Sequence, residues 1–148
     1  MKPAFIAGFG PIVPDMDESH RFWHEALGIE FEGDPGYWHT DALDGAKAFA
    51  LWPLSAAAEA TFGDKAWPSD IPAPQAWIEL DVESVEAVTV AIEELERAGH
   101  RVLKGAHEEP WGQTTSRLLS PEGLLVGVTF TPWMHADRPS EDEPITES

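Results

Sequence analysis

The chain has 148 residues, with nine Lys and Arg against 27 Asp and Glu, a formal net charge of −18 and a pI near 4.4. That length makes one domain, or two very small ones, and is enough to bury a core. The charge argues against nucleic acid and anionic membrane surfaces, and it admits cationic partners. The absence of cysteine excludes disulfides, thiol nucleophiles and Cys-type zinc sites, and it fits a reducing compartment.

The apolar run 4–14 follows Lys2 as a secretory leader core would. However, Gly8, Gly10 and Pro11 interrupt it, and acidic residues stand where a small-residue cleavage site is needed. No stretch approaches the ~18 apolar residues of a membrane span. A soluble, cytoplasmic protein is expected, with neither nucleic acid nor membrane as partner.

The remaining pattern reads as one module written twice. An extended apolar run at 5–13 leads into a short amphipathic helix at 17–27, opened by the capping-box pair Asp15 and Glu18 and stopped by Gly28. Short strands follow at 29–31, 37–39 and 47–54, separated by the turn formers Gly33-Asp34-Pro35-Gly36 and Asp44-Gly45.

The second copy opens with a strand at 76–82 and a helix ending at Gly99. In that helix Val85, Val88, Ile92 and Leu95 fall on one stripe. Strands at 101–103, 114–119 and 125–130 complete it, the last two joined by the β-turn Ser120-Pro121-Glu122-Gly123. The fold class is therefore α+β, two tandem βαβββ modules at 1–54 and 76–133. Residues 55–75 join them through a short helix and a Pro-rich extension, and 134–148 form an acidic tail without a fold of its own.

Several motifs carry a resemblance. Phe22-Trp23 followed by Leu27-Gly28-Ile29 stands early, and Glu109-Pro110-Trp111-Gly112-Gln113 precedes Ser120-Pro121-Glu122-Gly123 late. In this order they resemble the glyoxalase, bleomycin resistance protein and ring-cleaving dioxygenase superfamily over residues 5–133, and look closest to bleomycin resistance proteins. The resemblance implies that each module curls into a half-open β cup and that the paired modules enclose a ligand, often across a dimer. Function stays open, because the fold hosts isomerases, lyases, dioxygenases and passive drug binders.

Metal-using relatives place His, Glu or Gln in the first and last strand of each module. With Asp15 and Gly28 setting the register, those positions fall here on Gly8, on Trp77 and on Gly127, while 47–54 offers only Ala, Phe, Leu, Trp and Pro beyond Lys47. Neither Gly nor Trp supplies a donor for a divalent ion. No metal and no cofactor is expected. His20 and His24 have i, i+4 spacing suited to a metal pair, but the resemblance puts their helix outside the cup. His39 can reach the cup from its strand, and His107 stands in a loop that edges the pocket; His100 and His135 read as surface residues.

The seven tryptophans carry most of the functional signal. Strand alternation puts Trp77, Glu79 and Asp81 on one face and Ile78, Leu80 and Val82 on the other, which matches the helix stripe. Likewise Val126, Val128 and Phe130 face the helix, and Leu125, Gly127 and Thr129 face inward, as do Ile6, Gly8, Gly10 and Ile12. The expected cavity is floored by glycine, walled by indoles and rimmed by acids, with Trp111 and Trp38 as partners of Trp77. Trp23 reads as core, whereas Trp52 and Trp67 are open between core, dimer contact and linker packing. A cup filled by its own side chains is the competing reading, with Glu79 and Asp81 as salt-bridged strand residues.

The sequence thus favours a dimeric, metal-free protein that sequesters an aromatic small molecule, a cationic one being favoured by the charge, such as an antibiotic. Its ligand-binding candidates are Trp38, His39, Trp77, Glu79, His107 and Trp111, with no catalytic residue. A metal-dependent lyase, isomerase or dioxygenase of the same superfamily is the alternative.

Overall fold

The structure is a computed structural model that describes residues 1–135. In chain order its elements are β1 (Phe5–Val13), α1 (Met16–His20) running on into a π-helical turn (Arg21–Ala26), β2 (Glu32–Asp34), β3 (Tyr37–Thr40) and β4 (Phe49–Pro53). After α2 (Leu54–Phe62) come β5 (Ala76–Asp81), α3 (Val85–Arg97), β6 (Val102–Glu108), β7 (Thr114–Leu119), β8 (Leu125–Phe130) and α4 (Pro132–His135). The helix starts are chemically specified. Asp15 accepts a hydrogen bond from the Glu18 amide at 3.1 Å, and Ser84 accepts one from the Ala87 amide at 3.1 Å, each satisfying an amide that the first turn leaves orphaned.

All eight strands form one curled sheet in the order β2-β3-β4-β1-β5-β8-β7-β6. Within each module the first strand runs parallel to the last, β1 with β4 and β5 with β8. The modules join through antiparallel pairing of β1 with β5, so they close on each other within one chain.

The faces of the sheet divide the apolar side chains. Outside, Val82 and Val128 pack against Val88 and Ala91 of α3. Val13, Phe49 and Leu51 pack with Met16, Trp23, Ile29 and Phe31. Inside, Ile12, Ala50, Ala57, Trp77 and Leu125 form a third cluster beside Trp52, Leu54 and Trp67, which makes Trp52 and Trp67 core neighbours. Gly10 is required at the floor, because a Cβ there would stand 1.9 Å from the Ala50 carbonyl oxygen.

Several expectations are corrected. The strand anticipated at 29–31 forms instead over Glu32–Asp34, because Ile29 and Phe31 are used as packing for α1. Strand β6 extends to Glu108, which takes His107 out of the loop. A bulge between Ile6 and Gly8 takes Ile6 off the inner face; it pairs with Leu80 and is half exposed. Val85 is exposed, and Ala91 takes its place in the α3 stripe. Met134 and His135, expected in the acidic tail, belong to α4, whereas Glu141, Asp142, Glu143 and Glu147 lie outside the described residues. His135 is not a free surface residue, since its Nε2 bonds to the buried carboxylate of Asp81.

Candidate functional site

The concave face holds a cavity of about 780 Å³, walled by Tyr37, Trp52, Trp77, Trp111 and Trp133, with Glu79 and Gln113 among its polar groups. Such a volume suits a drug-sized ligand. Both modules contribute, and so does the joint between them: α2 lies against β1, β4 and β6 and presents Ala56, Glu59 and Ala60 to the cavity.

Trp77 is buried and stands edge-on to Trp52 at 6.0 Å, its Nε1 donating to the Ala50 carbonyl at 3.3 Å. Trp111 and Trp133 are each about half exposed and flank the mouth. Trp111 is held in place by its Nε1, which donates to Gln113 Oε1 at 3.0 Å.

Glu79 sits between two bare strand positions, paired with Gly8 on one side and Gly127 on the other. A Cβ at Gly127 would come 3.0 Å from Glu79 Cγ, and one at Gly8 would come 2.9 Å from the Trp77 ring. The two glycines therefore leave room for the carboxyl and the indole. Gln113 Nε2 donates to Glu79 Oε2 at 2.9 Å and to Thr131 Oγ1 at 2.9 Å.

Burial pushes the Glu79 carboxyl above the ordinary carboxylate range. Asp81 and Glu109 push the same way, and the Gln113 bond and Arg117 pull against them. The phenol of Tyr37 is also raised, by desolvation first and then by the charge of Glu79.

A carboxyl whose folded value is raised favours folding most below its unfolded value, 4.5, and that contribution is lost as pH rises through the folded value. Glu79→Gln keeps the shape and the bond from Gln113 but removes the charge. Its melting temperature is expected to exceed the wild type's at pH 7 by about 2–4 °C, as a ~1 kcal/mol relief gives in a domain this size. The difference should vanish near pH 4. Thermal melts at the two pH values check this; a lower melting temperature at pH 7 refutes it.

A second polar group lies across the cavity. Arg117 is 2% exposed and Glu109 6%, and Arg117 Nη2 donates to Glu109 Oε1 at 2.7 Å. Arg117 Nη1 donates to the Ala60 carbonyl at 3.2 Å, and the guanidinium lies 5.3 Å from the Trp52 ring centroid. His107 places Nε2 3.0 Å from Glu109 Oε1 and Nδ1 2.9 Å from the Gly105 carbonyl.

Of the residues singled out by sequence, Trp77, Glu79, His107 and Trp111 line the cavity together. Trp38 is placed elsewhere. It pairs with Leu51, a residue of the outer face, and stacks on His20 at 4.6 Å beneath α1. His39 shares the inner-face parity of Ala50 but is stacked behind Tyr37 at 5.4 Å and does not reach the cavity lining. Asp81 is fully buried, not a rim acid: it accepts from Thr129 Oγ1 at 2.9 Å and the Thr131 amide at 3.3 Å, and it meets His135. Tyr37, Trp52, Gln113, Arg117 and Trp133 were missed. Alternation along β3 would have found Tyr37, because it shares the face of His39.

The sheet does not place the three positions expected from the sequence side by side: Gly8 and Gly127 stand beside Glu79, whereas Trp77 pairs with Gly10 and Leu125. Among the described residues no three His, Asp, Glu or Cys side chains come together to hold an ion.

The sequence profile of the glyoxalase/bleomycin resistance protein/dioxygenase superfamily matches residues 6–128. The chain belongs to this superfamily. Solved structures agree on the fold. A glyoxalase/bleomycin resistance protein/dioxygenase superfamily member from Vibrio splendidus 12B01 is similar at 16% identity and TM-score 0.57, over 86% of this chain and 100% of that one. A Legionella pneumophila protein described as an NAD-dependent benzaldehyde dehydrogenase is similar at 15% identity and TM-score 0.58, over 83% and 96%. The Mn(II)-bound glyoxalase from Novosphingobium aromaticivorans matches at 20% identity and TM-score 0.51, over 87% of this chain and 39% of that one. No curated protein matches the sequence. Among the described residues no helix of this superfamily member is long and apolar enough to cross a membrane.

Proposed function

We infer that this superfamily member is a binding protein that sequesters a planar aromatic cation, of the kind found among antibiotics, as bleomycin resistance proteins do by occupancy. The carrying observation is the cavity itself: about 780 Å³ enclosed by four indoles and a phenol, with the Glu79 carboxyl seated between Gly8 and Gly127. Indole faces offer stacking worth ~0.5–1.5 kcal/mol beyond burial, and a cation over them adds ~0.5–2 kcal/mol. Four lining carboxylates, Glu59, Glu79, Glu108 and Glu109, outnumber the lining cations Lys104 and Arg117. The net charge of −18 draws cations toward the mouth. Protection by such a protein works through mass action and breaks no bond. Residues of both modules line the cavity.

Titrating the protein with a panel of planar cationic antibiotics and dyes while following tryptophan fluorescence tests the reading. Saturable quenching is expected, and Trp111→Ala should weaken it severalfold while leaving the melting temperature nearly unchanged, since Trp111 is largely solvent-facing. Absence of quenching across the panel, or stoichiometric, tightly held Zn, Ni, Mn or Fe in the purified protein, overturns it.

A further inference from the structure

We propose that the site selects cations that carry an N–H donor (protonated amines, amidines or guanidines on an aromatic scaffold) over fixed-charge quaternary cations, and that Glu79 makes the selection. This rests on the sequestration reading and goes beyond it, because an aromatic cage alone would accept either kind of cation equally well.

The argument begins with what Glu79 lacks. An ionised carboxylate offers about four lone-pair sites. Among the described residues the Glu79 side chain receives one hydrogen bond, from Gln113 Nε2 to Oε2. Gln113 has no further donor to give, since its two amide hydrogens go to Glu79 and to Thr131. The strand neighbours on either side are Gly8 and Gly127, which have no side chain with which to supply one. Arg117 gives two of its five N–H donors to Glu109 and the Ala60 carbonyl, and among the described residues it makes no hydrogen bond to Glu79.

Glu79 Oε1 receives no donor from the described residues and opens on the cavity, so a donor carried by a ligand can bond to it there. Charge-assisted hydrogen bonds are about twice as strong as neutral ones. A quaternary nitrogen supplies charge to the indoles but leaves Oε1 bare. An N–H cation supplies both.

The surroundings point the same way. The charged and titratable groups acting on Glu79 are Tyr37 on β3, Asp81 on its own strand, Glu109 after β6 and Arg117 on β7. His107, Lys104, Glu59 and Glu108 line the same cavity. Burial holds the free carboxyl toward its neutral form. A cation that needs the carboxylate therefore displaces a proton as it binds. Its affinity rises with pH and levels off once Glu79 is ionised in the free protein.

Three planar probes of similar size separate the possibilities: 9-aminoacridinium, which carries N–H donors; 10-methylacridinium, a fixed-charge cation without them; and neutral acridine at pH 8. Calorimetric titration of the full chain should give 9-aminoacridinium at least tenfold tighter than 10-methylacridinium. In Glu79→Gln that ratio should fall to near one. For the wild type, 9-aminoacridinium affinity should climb between pH 4.5 and 8 with proton release, and in Glu79→Gln it should be flat. Equal affinity for the two cations, with both above acridine, overturns the selection by Glu79 and leaves sequestration standing. A pH slope that persists in Glu79→Gln assigns the linkage to another group and likewise overturns it. No binding by any of the three overturns the sequestration reading itself. The comparison among probes on the unchanged protein stands even if the variant folds poorly.

Discussion

Arg117→Met is expected to lower stability by about 3–5 kcal/mol, the loss that follows when one member of a buried ion pair is left alone. Arg117 and Glu109 are 2% and 6% exposed and meet at 2.7 Å, so neither has water to fall back on. The guanidinium also bridges β7 to α2 through the Ala60 carbonyl, which ties the inter-module joint to the second module. Removing it leaves the Glu109 carboxylate with His107 as its remaining partner. The double variant Arg117→Met, Glu109→Gln should recover most of the loss, since two neutral side chains of similar volume replace two desolvated charges. Urea unfolding of the single and double variants measures both terms. A single-variant cost below about 1 kcal/mol would mean that the pair behaves as an exposed one.

Trp77→Ala is the second large effect, about 3–5 kcal/mol, as for other buried aromatic truncations. Trp77 is 5% exposed within the inner cluster of Ile12, Ala50, Ala57 and Leu125. Its loss opens a void behind the cavity wall and leaves the Ala50 carbonyl without the indole donor. Binding should fall with it, because the void removes one side of the stacking surface. Trp77→Phe retains a ring there, so it should cost less stability while still weakening the probe. Urea midpoints, read beside quenching of the remaining tryptophans by 9-aminoacridinium, separate wall from core. A Trp77→Ala variant that binds as tightly as the wild type would place the ligand elsewhere.

The sequence by itself determined the two-module pattern. The capping box at Asp15 and Glu18, the turn at Ser120-Pro121-Glu122-Gly123 and the alternation in 125–130 are local signals, and local signals survive folding. Alternation also set the inward face of β5, and with it the shared wall of Trp77 and Glu79.

What failed was register and distance. Trp38 lies on the wrong face because the parity of β3 is fixed by its pairing with Leu51, a partner 13 residues on that no local pattern reveals. Ile6 left the inner face through a bulge, which shifts parity by one residue. Only the tertiary structure brought Arg117 to Glu109, Gln113 to Glu79 and Asp81 to His135. Those pairings depend on loop closure and on where strands meet, and sequence spacing carries neither. The pairing of β1 with β5, which joins the modules across the whole first module and the joint, likewise appears only in the tertiary structure.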